Sequence, residues 1–92
     1  PKEKLDANQF LHIGEINQRQ AQIINIYYDN PQETLTVKEA QNKFGISPTT
    51  AKSDIIELVN RGILAEISFN KVKKGYIKGP EFDTIISKNI KI

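Results

Sequence analysis

The chain has 92 residues, 38% hydrophobic and 26% charged, with a formal net charge of +2. These are ordinary proportions for one soluble domain with a modest core, and they leave no room for a large catalytic cavity. The absence of cysteine excludes disulfides, thiolate metal sites and cysteine nucleophiles, and a single histidine, His12, excludes a histidine-rich metal site. No run approaches the roughly 18 apolar residues of a membrane span, and the first residues have no signal-peptide core.

The chain starts at Pro1 and contains no methionine, so it is expected to be a segment of a longer protein. Residues 1–16 read as a polar lead-in with scattered apolar positions, either a linker or a short helix around Ala7 to Leu11. Asn17 can cap a first helix running to Asn30, because its side-chain oxygen can accept a free backbone N–H of the first turn. Ala21, Ile24 and Tyr28, with Ile23 and Tyr27 beside them, keep helical spacing. Asn30-Pro31 ends that helix, since the residue before proline is pushed out of helical geometry. Leu35, between threonines, suggests a very short strand. Thr36 followed by Glu39 forms a capping-box pattern for a second helix, and Gly45 allows the chain to leave it.

Ser47-Pro48 opens a third helix, serine as cap and proline at the first helical position. Its apolar side is Ala51, Ile55, Leu58 and Val59, and its outer side is small and polar. Gly62 stops it. From Ile63 the chain alternates, with Ile63, Ala65, Ile67 and Phe69 expected inward, and "YIK" returns as the second strand of a hairpin. The positive surplus collects there, with Lys71, Lys73, Lys74 and Lys78 against Glu66 alone. After Gly79-Pro80, "EFDTIISKNI" can form a short final helix. The predicted fold is α+β and mainly α, a winged helix-turn-helix of three helices plus a hairpin wing. The lead-in is 1–16, the winged domain 17–79, and the short helix and tail 80–92.

The stretches "INQRQAQIINIYY" and "LTVKEAQNKFGISPTTAKSDIIELVNRGIL" resemble the winged helices of DeoR-type bacterial repressors. They are still more similar to the winged helix at the C-terminal end of Fic-family proteins, with an asparagine-x-arginine-glutamine opening before the first helix. Gln41 stands where DeoR-type repressors tend to place alanine, which favours the Fic-associated form. Ser53 stands where many relatives carry an arginine beside Lys52, which implies a weaker phosphate grip from this helix. The Fic catalytic motif is absent, so any nucleotidyl-transfer chemistry of such a parent lies elsewhere. The resemblance implies a bacterial, cytoplasmic parent in which this is a regulatory or targeting module.

In this arrangement the third helix lies in the major groove and the wing against the backbone or minor groove. The candidates for base contact are Thr49, Thr50, Lys52 and Ser53, whose side chains can bond base edges or phosphate. The wing and backbone candidates are Lys71, Lys73, Lys74, Tyr76 and Lys78. Each has a plainer reading, as a polar residue on a solvated helix face or a lysine keeping a turn soluble. Asp54 and Glu57 count against DNA by repulsion, and in the absence of a nucleophile or metal partner they are no acid/base pair. Tyr28 is expected in the core and His12 structural or exposed. No catalytic residue, metal or cofactor is expected. Double-stranded DNA is the expected partner. The alternative is a docking module that engages another domain of the parent chain, or a second copy of itself, without touching DNA.

Overall fold

The computed structural model describes residues 7–71 and 73–89. The first six residues of the lead-in, Val72 in the hairpin turn and the tail at 90–92 lie outside the described residues. Each of the three principal helices begins at a side chain that satisfies the free N–H groups of its first turn. For α1 (Gln18–Asp29) the cap is Asn17, whose Oδ1 accepts from the Gln20 backbone N–H at 2.8 Å while Gln20 Oε1 accepts from the Asn17 N–H at 2.8 Å. Thr36 and Glu39 make the same reciprocal pair at α2 (Val37–Phe44), at 3.1 and 3.0 Å. Ser47 caps α3 (Pro48–Asn60) through the Thr50 N–H, with Pro48 at the first helical position. Between α2 and α3, Gly45 takes φ 62°, the left-handed turn that glycine adopts without strain.

The hairpin follows directly. Strands β1 (Leu64–Ser68) and β2 (Lys74–Lys78) pair antiparallel, Leu64 opposite Lys78 and Ser68 opposite Lys74. Leu35 adds a single bridge on the other side of β2, exchanging both backbone hydrogen bonds with Tyr76. A last helix, α4 (Phe82–Asn89), closes the described chain. In the lead-in, Ala7–Ile13 forms a 3-10 helix packed on α1 and α4, with Phe10 fully buried and its ring tilted against Tyr28 at 5.6 Å between centroids. The fold is a mainly helical α+β winged helix. Its core runs through Ile23, Ile24 and Tyr27 of α1, Ala40, Ile55 and Leu58 of α2 and α3, and Ile63 and Leu64.

The hairpin departs from the alternation read in the sequence. Ile63 is not a strand residue: its N–H donates to Leu58 O and it belongs to the turn that ends α3. The strand therefore begins one residue later, and only its first residue on the Tyr76 side is buried, since Glu66 and Ser68 of that same face are exposed. Leu64 and Tyr76 point inward, at 2% and 3% exposure, while Ala65 and Ile67 are only half-buried and Phe69 is 50% exposed.

One polar cluster fixes α1 on α3. Asp54 is 4% exposed. Its carboxylate accepts from Arg19 Nε at 2.7 Å and from Asn17 Nδ2 at 2.9 Å. Gln20 Nε2 donates to the Asp54 carbonyl at 3.1 Å and to Glu57 Oε2 at 2.6 Å. The bond to Asp54, and then its charge, push the Arg19 guanidinium further above its ordinary pKa. The N-cap of α1 is thus also a ligand of the buried carboxylate on α3.

The hairpin base is pinned as tightly by Gly79. Its N–H donates to Ile63 O at 2.8 Å, and a Cβ there would press on the Gly62 carbonyl and lie 2.7 Å from the Leu64 carbonyl oxygen. Backbone cannot retreat as a flexible side chain would. Gly79→Ala is therefore expected to cost about 3 kcal/mol, the upper end for overpacking, read as a lower urea midpoint at constant m-value. Asp54→Ala leaves Asn17 Nδ2 and Arg19 without their acceptor. Because Arg19 is partly exposed and can rehydrate, the expected loss is about 1–3 kcal/mol, measured the same way.

Candidate nucleic-acid interface

The first turn of α3 projects from its cap with Thr49, Lys52 and Ser53 exposed. Thr50 is half-buried and its hydroxyl is already engaged, accepting from Ser47 Oγ at 3.0 Å beside the capping bond. The two carboxylates of this helix, which the sequence set against DNA, are turned to α1 by the Asn17, Arg19 and Gln20 contacts. What remains outward at the N-terminal end of α3 is hydroxyl and ammonium.

A cleft of ≈ 900 Å³ separates this turn from the hairpin. Thr49 and Lys52 line it from α3, Lys73 and Lys74 from the wing, and Lys38 and Asn42 from α2. The Lys38 and Asn42 contributions were not read in the sequence. The available signal was Lys38 in the first turn after the Thr36 cap, which shares its end of the domain with the start of α3. The charge of the lining is mixed, with Lys38, Lys52, Lys73 and Lys74 against Glu39 and Glu66. Glu66 lines the cleft, with Oε1 3.4 Å from Lys74 Nζ. Among the described residues, Lys52, Lys71 and Lys73 stand in no ion pair.

Two expected wing residues are placed elsewhere. Tyr76 lines the cleft but is buried, its hydroxyl donating to Glu66 Oε2 at 3.3 Å and its backbone held by Leu35. Burial, then the Glu66 charge, raises the phenol pKa above its ordinary value. It is a wall of the cleft and not a stacking platform, because its ring is buried and its hydroxyl and backbone are already engaged. Lys78 lies at the opposite end of β2, bonded to both oxygens of Asp83 at 3.0 and 3.2 Å and 5.3 Å from the Phe82 ring centroid. It borders a separate cavity of ≈ 330 Å³ against α1 and α4. Lys71 is exposed in the turn beyond the cleft, and Ser53 lies outside its lining. Among the described residues no helix is long and apolar enough to cross a membrane, and no group of acidic or histidine side chains gathers as a metal site.

The fold is shared with solved structures. A MepR mutant from a multidrug-resistant S. aureus clinical isolate superposes with a TM-score of 0.71 at 15% identity, over 94% of this chain and 64% of that one. A MarR family protein from Bacillus stearothermophilus gives 0.66 at 19% identity, over 91% and 58%. The chain thus spans less than two thirds of the length of either. No curated protein matches it by sequence. The family described as DeoR-like helix-turn-helix domain matches residues 19–67, from the first turn of α1 into β1. That match takes in Arg19, Asp54 and the whole of the capped α2–α3 turn, and the chain belongs to the DeoR-like helix-turn-helix domains, a DNA-binding regulatory class with, here, a winged-helix fold.

Proposed function

We propose that the domain binds double-stranded DNA at two points, the first turn of α3 in the major groove and the lysine wing on the phosphates beside it. One observation carries the reading. Thr49 and Lys52 share a cleft with Lys73 and Lys74, while Asp54 is buried by its bonds to α1 and Glu57, exposed further along the helix, is bonded to Gln20 and does not line the cleft. Thr49, Lys52 and Ser53 are the base-edge candidates. Lys71, Lys73 and Lys74 are the phosphate contacts. The resemblance of the Asn17-Gln18-Arg19-Gln20 opening supports a Fic-like bacterial parent, in whose cytoplasm this would act as a targeting or regulatory module. A second copy or further domains of the parent would supply the remaining affinity.

Salt sensitivity tests the reading. With these three lysines on phosphates, log affinity falls against log salt with a slope of about −2.7, so a fourfold rise in salt costs about fortyfold. Lys73→Glu with Lys74→Glu is expected to remove measurable binding to a random duplex. Its melting temperature should stay close to wild type, since exposed sites usually move stability by less than about 0.5 kcal/mol. Binding that ignores salt, or that survives the charge reversal, defeats the proposal in favour of a docking module.

A further inference from the structure

Among the described residues the most exposed large apolar side chain is Phe69, at the end of β1, where the wing turns. Its backbone is tied across the turn. The Phe69 N–H donates to Lys73 O at 2.9 Å, and the Lys73 N–H donates back to Asn70 Oδ1 at 2.8 Å. The ring itself has a built seat. It lies on Gly75, where a Cβ would stand 2.6 Å from its Cε2, so the absence of a side chain at Gly75 makes the place the ring occupies. Lys73 Nζ sits 5.7 Å from the ring centroid, a distance at which the cation is drawn to the aromatic face. Ring and ammonium are thus presented together at the free end of the wing, beyond the last strand pair of Ser68 with Lys74.

The surroundings select the occupant. A protein-docking aromatic is ringed by residues that desolvate cheaply, and lysine is depleted in such interfaces. Phe69 has Lys71, Lys73 and Lys74 within five positions of it. Apolar wedges set among cations are what proteins use against the sugars and base edges of the minor groove. Resting on the DNA reading above, we propose that Phe69 is the wing's wedge. It makes van der Waals contact with the deoxyribose walls and base edges of the minor groove next to the major groove that holds α3, while the lysines hold the flanking phosphates.

The test uses the full chain and a fluorescent random-sequence duplex, titrated at several salt concentrations. Burial of half a phenyl ring predicts that Phe69→Ala lowers affinity about tenfold. The slope against salt should stay at the wild-type value, because no phosphate contact is lost. Phe69→Leu keeps most of the apolar area and should lose less than about threefold, and it carries the comparison if the alanine variant melts early. Lys73→Ala should instead reduce the slope by about 0.9. A minor-groove ligand added in excess should displace wild type. The inference is overturned if Phe69→Ala binds as wild type does. It is equally overturned if its slope falls as that of Lys73→Ala does, which would make the ring only a prop for the ammonium. A change in self-association without a change in duplex affinity would assign the ring to a protein partner and also overturn it. Failure of wild type to bind duplex at all removes the DNA reading itself, and this inference with it.

Discussion

A buried carboxylate holds the two principal helices in register. Asp54 accepts from the cap residue of α1 and from the first turn of the same helix, across 37 and 35 positions of sequence. As a source of stability such an arrangement is modest, because desolvating the carboxylate consumes most of what its partners return. As a constraint it is strong: Asn17 satisfies the helix start and the carboxylate at once, so α1 cannot slide along α3 without breaking both. The same bonds decide the surface. Were Asp54 outward, the second turn of α3 would present a negative charge beside Lys52. Buried against α1, it leaves hydroxyls and an ammonium there, and Glu57, exposed in the third turn, is bonded to Gln20.

The wing is anchored at one end and chemically open at the other. At its base, Tyr76 O accepts from both the Leu35 N–H and the Tyr27 hydroxyl, and Gly79 is wedged between the Gly62 and Leu64 carbonyls. Burial raises the Tyr27 pKa far above ordinary values, which keeps that phenol a donor. At its tip the chain is polar and basic, held by its own turn. A rigid base fixes the distance between α3 and the tip, and the tip remains free to meet a charged surface.

Local chemistry made the helices legible. The caps at Asn17, Thr36 and Ser47, the proline at position 48 and the left-handed Gly45 each act within one turn of chain, so residue type and spacing sufficed. The hairpin was legible as a hairpin but not in which of its side chains are buried. Ile63 is apolar and continues the alternation, yet the turn after Gly62 claims it, and of the strand that follows only Leu64 is fully buried. Tyr76 is covered where Leu35 bridges to it, Phe69 lies beyond the last strand pair, and Lys78 reaches Asp83 of the following helix. The direction of Asp54 was hidden for a different reason. Its partners are far off in sequence, and a charge on a helix gives no sign of which neighbour it faces. The clue was the Asn-x-Arg-Gln opening, whose polar side chains at a helix start need acceptors elsewhere.

The size of the binding face also bounds what one copy achieves. A module with about three phosphate contacts sits in the range of non-specific affinity, about 10⁻⁴ to 10⁻⁶ M. An apolar wing contact would add affinity without adding salt dependence, since the first comes from area and the second from released counterions. The rigid base of the wing matters to both, because a tip free to wander would give up part of each contact in ordering cost. Linking two such domains at a fixed spacing raises avidity by about 10²–10⁴ without a new contact. The step from weak to useful binding therefore depends on whatever holds two copies, or this domain and its neighbours, at a fixed distance. The charge arrangement of α3 and the wing then determines which surface that assembly meets.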